Sequence, residues 1–105
     1  MDSHEAFLRA ILATIARQTF PPERILEIIG STSGDKHYRA FNMCDGSITQ
    51  ADIAKELGLD SGNFSRTLNR WIDAGIVIRV GEKRDARPLH VYPLPEGLIK
   101  KDAKK

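Results

Sequence analysis

Apolar residues near the start of the chain recur at the spacing of an α-helix. The large ones form two neighbouring ridges, with Phe7, Ile11 and Ile15 on one and Leu8 and Leu12 on the other. This pattern predicts an amphipathic helix over residues 3–18, with an apolar face wider than one small domain needs. The face could pack on the rest of the chain or on a second copy, and the sequence leaves both alternatives open.

A proline pair and a glycine delimit a second, shorter helix. The first helix must end before Pro21, because a residue that precedes a proline is displaced from the helical region. Pro22 suits the first turn of the next helix and Gly30 ends it, which predicts a helix over residues 22–29. The polar run Ser31–Gly34 then marks an internal boundary. Residues 1–34 are therefore predicted to be an N-terminal helical extension and a possible dimerisation element.

Three more helices can be located from the residues at their ends. Asp35 is predicted to cap a helix that ends at Asp45–Gly46. Thr49 and Asp60 are the predicted N-caps of the next two helices, which are separated by a tight turn at Gly58. Two capped helices joined by so short a turn form a helix-turn-helix unit.

After Gly75 the pattern changes from helical to strand-like. Residues 76–80 and 89–92 are rich in β-formers, and they predict a hairpin with a polar, basic tip between the strands. The predicted fold is therefore mainly α with a small β-hairpin. It consists of a winged helix-turn-helix domain over residues 35–95, preceded by the N-terminal helical extension and followed by a flexible basic tail over residues 96–105.

The order of helix, helix-turn-helix and basic-tipped hairpin is that of a winged helix domain. Gln50–Leu59, Phe64–Leu68 and Gly75–Val77 resemble the core of the MarR-type transcription regulators of bacteria and archaea. The resemblance covers about residues 36–94, and it implies a regulator that binds double-stranded DNA as a homodimer on a palindromic site. The long C-terminal helices of such regulators have no counterpart after Pro95, so the N-terminal helix is the expected dimer element.

The second helix of the motif has an outer face of small, amide-bearing and basic side chains. With Phe64, Leu68 and Trp71 facing inward, a turn of about 100° per residue directs these side chains outward. Arginine can form two hydrogen bonds with guanine, and asparagine can do so with adenine. The predicted DNA contacts of this helix are Ser61, Gly62, Asn63, Ser65, Arg66, Asn69 and Arg70. Thr49 and Gln50 are predicted to contact phosphate at the start of the first motif helix. The other interpretation is an exposed helix whose polar side chains are simply solvated.

The hairpin tip supplies three more candidate contacts, Lys83, Arg84 and Arg87. In MarR-like wings an Asp-x-Arg motif places its arginine in or near the minor groove. Asp85–Ala86–Arg87 matches that motif, so the resemblance implies that Arg87 is the minor-groove residue, where a narrow groove favours a guanidinium. The alternative is a solvated turn of offsetting charges.

Composition and charge narrow the class of protein. The chain has 105 residues and a formal charge of +2, but residues 1–48 sum to −1 and residues 49–105 to +3. The excess positive charge thus lies in the second half of the chain, which weakly favours an anionic partner for that half. No apolar run approaches the roughly 18 residues of a membrane span, and no secretory leader begins the chain. The expectation is a cytoplasmic protein with no membrane partner, and a lone Cys44 fits a reducing compartment.

Other kinds of site find little support in the sequence. His4, His37 and His90 lie on separate elements without ligand spacing, so neither a metal nor another cofactor is expected. Cys44 is either a redox sensor or a buried inert thiol, and its apolar helix favours the latter. The chain has no phosphate loop, nucleophile elbow or pair of catalytic carboxylates, which argues against an enzyme.

The sequence thus predicts a sequence-specific DNA-binding protein and a transcriptional regulator. Two alternatives remain open. One is a winged helix used as a protein–protein interaction module, and the other is a plasmid or phage replication or partition protein. The salt dependence of binding distinguishes a DNA-binding protein from the first alternative, because affinity for DNA falls steeply as the salt concentration rises.

Overall fold

In the computed structural model, which describes residues 3–30, 35–81 and 86–95, five helices precede a two-stranded antiparallel hairpin. The elements are α1 (Ser3–Thr19), α2 (Pro22–Ile29), α3 (Lys36–Met43), α4 (Gln50–Leu57), α5 (Ser61–Ala74), β1 (Val77–Val80) and β2 (Arg87–His90). The prediction of a mainly helical winged helix fold with a small hairpin is confirmed.

The ends of α4 and α5 are fixed by local side-chain chemistry. Thr49 Oγ1 accepts a hydrogen bond from the Asp52 amide at 3.2 Å, and Asp60 Oδ2 accepts one from the Asn63 amide at 2.9 Å. Each bond satisfies one of the free N–H groups of a first helical turn. Gly58 ends α4 with φ 66°, a left-handed conformation that glycine adopts without steric cost. The two helices predicted from these signals are confirmed.

The ends of α3 differ from the prediction. Asp35 precedes the helix, but its carboxylate makes no capping hydrogen bond there and instead pairs with Arg39 at 3.0 Å. The helix also ends at Met43, two residues before the predicted Asp45–Gly46. The reason is that the chain from Cys44 to Gly46 runs beside β2, where its backbone groups find partners.

This short stretch adds a third strand-like segment to the hairpin. The His90 amide donates to the Cys44 carbonyl at 2.6 Å, and the Gly46 amide donates to the Pro88 carbonyl at 3.0 Å. An isolated β-bridge joins Asp45 to Leu89. The base of the hairpin is therefore attached to the end of α3 as well as to its own β1.

The second strand is shifted from its predicted position. It covers Arg87–His90 instead of residues 89–92, with Val77 paired to His90 and Val80 paired to Arg87. Pro88, read as part of the tip, lies within the strand opposite Arg79. The backbone carbonyl of Pro88 accepts from Gly46, on the side of β2 that faces away from β1, so the missing N–H of the proline interrupts no hydrogen bond between β1 and β2.

A single hydrophobic core joins the helices to the hairpin. Its centre is Trp71 of α5, whose ring lies edge-on to Phe41 and Phe64 with centroid distances of 5.8 and 6.2 Å. Ile25 and Ile29 of α2 are buried in the same cluster, so the N-terminal helices pack on the winged helix. The predicted boundary between the N-terminal extension and the winged helix domain, at residues 31–34, lies outside the described residues and stays a prediction.

The apolar face of α1 is divided between two environments. Leu12, Ala13 and Ala16 contact the core. The remaining large side chains point into solvent, with exposed fractions of 69% for Phe7, 65% for Leu8, 42% for Ile11 and 59% for Ile15. The rest of the described chain therefore leaves an apolar stripe on α1 uncovered, which we define as Phe7, Leu8, Ile11 and Ile15.

His90 is a buried titratable group at the base of the hairpin. Its Nδ1 lies 2.8 Å from the Phe41 carbonyl oxygen, and because a carbonyl only accepts, Nδ1 carries the proton of the neutral ring. The ring also stacks at a tilt on Phe41. Burial lowers the pKa of His90 below its ordinary value, in spite of its bond to Phe41 and the nearby Asp45. The folded protein thus favours the neutral histidine.

We expect this burial to make the fold sensitive to mild acid. An unfolded histidine takes up its proton near pH 6.5, whereas folded His90 does so only at lower pH. The contribution of His90 to the free energy of unfolding is therefore fully present above about pH 6.5. It decreases as the pH falls from there toward the pKa of folded His90. Urea unfolding at pH 8, 6.5 and 5 measures this decrease.

The matched variant is His90→Asn, whose amide can replace Nδ1–H as the donor to Phe41. It should lose stability less steeply between pH 6.5 and pH 5. A remaining slope is expected from His37, whose pKa is lowered by burial and by the charge of Arg70. Equal slopes in the two proteins would contradict the assignment to His90.

Candidate nucleic-acid interface

The outer face of α5 is the largest group of predicted contact residues that the structure brings together. Phe64, Leu68 and Trp71 are buried as predicted, and Thr67 is buried beside them. The exposed positions are Ser61, Gly62, Asn63, Arg66, Asn69 and Arg70, and Ser65 is half-buried. The inward and outward faces of this helix therefore follow from its sequence, because helical geometry fixes one once the other is known.

Arginine side chains bind the amide side chains on this surface. Arg66 donates to Oδ1 of Asn63, one turn earlier in α5. Arg79 of β1 donates from Nη2 to Oδ1 of Asn69 at 3.1 Å and reaches Oε1 of Gln50 at 3.5 Å. Arg79 is exposed and connects the hairpin to both motif helices. Arg79 was not among the contacts predicted from the sequence, since only the position of β1 beside α4 and α5 reveals it.

A cleft of about 310 Å³ lies where the two motif helices meet the hairpin. Its lining includes Thr49 and Gln50 at the start of α4, Ser61 at the start of α5, and Arg79. The N-termini of α4 and α5 thus lie at the same cleft as the guanidinium of Arg79. Helix N-termini and a guanidinium both favour the binding of an anion. The two residues predicted to contact phosphate lie at this cleft.

A second hollow, of about 480 Å³, lies on the other flank of α5. Its lining includes Asn63, Arg66 and Arg70 together with His37 of α3. The ring of His37 lies edge-on to Trp71 at 6.2 Å. Arginines therefore border both flanks of the outer face of α5. They give this face a positive charge, except at its first turn, where the carboxylate of Asp60 caps the helix.

The predicted wing contacts are only partly described. Lys83, Arg84 and the Asp85 of the Asp-x-Arg motif lie outside the described residues. Arg87 is exposed and is the first residue of β2, paired with Val80, so it stands on the strand and not at the tip. Its proposed approach to the minor groove stays a prediction.

Cys44 lies in an environment that suppresses thiol reactivity. Its side chain is fully buried, and Sγ donates to the Ala40 carbonyl at 3.2 Å. Burial, and to a lesser degree the charge of Asp45, raises the pKa of the thiol to about 12. The thiolate is the reactive form, so near neutral pH this thiol is inert in the described conformation.

Residues 3–30, 35–81 and 86–95 bear on two further properties, metal binding and membrane crossing. In these ranges no three His, Cys, Asp or Glu side chains come together as a metal ion would require. Nor is any helix within them both long and apolar enough to cross a bilayer.

Comparison with known proteins gives one match. The family model of the MarR family matches residues 39–88, which include most of α3, both motif helices and the start of β2. Neither the curated proteins nor the solved structures give a significant match. The resemblance to MarR-type winged helix regulators is thereby confirmed for this segment, and the match supports a DNA-binding transcription regulator in general. The family is one of regulators and not of enzymes.

Proposed function

From the MarR-family winged helix of residues 39–88, we propose that this protein is a sequence-specific transcription regulator that places α5 in the major groove of double-stranded DNA. The observation that carries the proposal is the outer face of α5, on which Asn63, Arg66, Asn69 and Arg70 are all exposed. Their side chains can bond base edges and phosphates. A free Cys44 suits action in the cytoplasm.

The elements around α5 supply the contacts to the DNA backbone. Thr49 and Gln50 bind phosphate at the start of α4, where amide N–H groups and the helix dipole favour an anion. Lys83, Arg84 and Arg87 contact the flanking backbone or the minor groove. Such contacts fix the register of α5 on the duplex, but they do not distinguish one base from another.

A test of this docking compares a base-reading arginine with a phosphate-binding lysine. Arg66→Ala should weaken binding to the preferred duplex by about 1–3 kcal/mol and relax its preference at one position. Lys83→Ala should weaken binding to preferred and scrambled duplexes alike. Fluorescence anisotropy on both duplexes over a range of salt concentrations measures the affinities, after the preferred sequence has been selected from a random library.

The matched control is Arg24→Ala. Arg24 lies on α2 and pairs with Glu27 at 3.0 Å, so this variant removes one positive charge without changing α5. It should bind like the parent protein. If neither Arg66→Ala nor Lys83→Ala binds more weakly than Arg24→Ala, this docking is wrong. If the parent ignores duplex DNA even at low salt, the interaction-module alternative replaces the proposal.

A second copy of the chain is the proposed partner of the α1 stripe. Phe7, Leu8, Ile11 and Ile15 expose a continuous apolar row that the described part of the chain does not cover. In a two-fold dimer each copy presents the same row to the other, so an apolar stripe is complementary to itself. Two copies would place two α5 helices on the two halves of a palindromic site. Light scattering coupled to size-exclusion chromatography should give twice the chain mass.

A further inference from the structure

We propose that Arg79 determines base preference by orienting Asn69, so that this asparagine reads guanine and discriminates against adenine. The inference rests on the proposed DNA-binding function and specifies the sequences that it selects. Arg79 lies outside α5, on β1, and thus acts on the base through Asn69 as a positioning residue.

The orientation of the Asn69 amide follows from donor and acceptor chemistry. A guanidinium has five N–H donors and no acceptor, so the amide atom that faces it must be the oxygen. Arg79 Nη2 lies 3.1 Å from that oxygen, Oδ1. The Nδ2H2 group on the other branch of the amide has no hydrogen-bond partner among the described residues, and it can donate to an outside partner. Arg66 holds Oδ1 of Asn63 in the same manner, so two exposed amides of α5 share this arrangement.

Arg79 is itself held in place by more than one element. It stands opposite Pro88 in the hairpin ladder, and its guanidinium lies between Asn69 of α5 and Gln50 of α4, with 3.5 Å to Oε1 of Gln50. The carboxylates closest in sequence to this face are at the ends of α5. Asp60 is occupied as the N-cap, and Asp73 lies in the last turn. Between these ends α5 itself carries no carboxylate.

A donor at this position distinguishes the two purines. In the major groove guanine presents two acceptors, N7 and O6, whereas adenine presents the acceptor N7 beside the N6 amino donor. Asparagine recognises adenine by accepting from N6 and donating to N7 at the same time. Here Oδ1 of Asn69 already accepts from Arg79 with one of its two lone pairs, and the positive charge of the guanidinium repels the N6 amino hydrogens from the other. The Nδ2H2 group can still donate to N7 or O6 of guanine.

Selection from a random duplex library tests the proposal with four proteins: the parent, Asn69→Ala, Arg79→Ala and Arg24→Ala. The base position that loses its preference in Asn69→Ala identifies the position read by Asn69. At that position the parent should select guanine, and adenine, which presents an amino donor where guanine presents O6, should weaken its binding on the order of tenfold. Exchanging guanine for adenine leaves the phosphates unchanged, so its effect reports base reading and not a backbone contact.

The variants then separate the role of Arg79 from that of charge. Arg79→Ala frees Oδ1 of Asn69, and the preference for guanine over adenine should disappear or reverse at that position only. Arg24→Ala removes the same charge elsewhere and should keep the parent preference. Far-UV circular dichroism verifies that each variant is folded.

Two outcomes would overturn the inference while leaving sequence-specific DNA binding intact. One is selection of adenine by the parent at the position read by Asn69. The other is an unchanged guanine preference in Arg79→Ala. If the parent selects no sequence at all, both this inference and the proposed function are wrong.

Discussion

Replacing Trp71 with alanine is expected to lower the free energy of unfolding by about 3–5 kcal/mol. The Trp71 side chain is fully buried, and aromatic rings of α3 and α5 surround it edge-on. Alanine would leave a cavity that close-packed neighbours fill only in part. Since a small domain is stable by roughly 5–15 kcal/mol, much of the total would be lost. Urea unfolding followed by circular dichroism measures the change.

The matched variant for this prediction is Trp71→Phe. Trp71 Nε1 is buried without a hydrogen-bond partner in the part of the chain that the structure describes. Phenylalanine therefore removes no hydrogen bond and leaves a smaller cavity, and it should cost only about 1–2 kcal/mol. Similar losses in the two variants would show that cavity formation does not control the stability of this core.

Introducing a charge into the α1 stripe should have an equally large effect, on DNA binding. Phe7→Asp is expected to convert the proposed dimer to monomers, because it would bury an unpaired carboxylate at the interface. A monomer holds one half-site and loses the high effective concentration at which the second half-site is bound. Affinity for a palindromic duplex should then fall by about 10²- to 10⁴-fold. Light scattering and fluorescence anisotropy measure the two changes.

Ala6→Asp provides the control for charge and for helix position. Ala6 is exposed and lies about 100° around α1 from Phe7, so its aspartate adds the same charge outside the stripe. This variant should remain dimeric and keep most of its affinity. Phe7 is 69% exposed in the isolated chain, so Phe7→Asp should leave the fold of each monomer intact. A parent protein that is monomeric at all concentrations would contradict the proposed dimer.

The sequence predicted best those features that depend on neighbouring residues. Thr49 and Asp60 bond to amides three positions ahead, and Gly58 ends α4 through its own backbone angle. Each of these signals acts within one helical turn, so a short window contains it. The exposed face of α5 followed in the same way from Phe64 and Trp71, given the helical repeat.

Features that depend on distant parts of the chain could not be predicted. Whether Ile11 or Leu12 faces the core depends on how α1 lies on the other helices, because both residues satisfy the same periodicity. The position of β2 depends on pairing with β1 and with the segment after α3. Arg79 is separated from Asn69 by 10 residues and from Gln50 by 29, and its role emerges only when β1 is placed.

The bridge between Asp45 and Leu89 has a consequence for the thermodynamics of complex formation. Because β2 is bonded on one side to β1 and on the other to the chain leaving α3, its backbone is ordered before any partner arrives. Ordering a segment on association costs conformational entropy, and a segment that is already ordered avoids that cost. Arg87, the first residue of β2, would therefore reach DNA from a preorganised strand, and its contact would contribute more of its interaction energy to affinity.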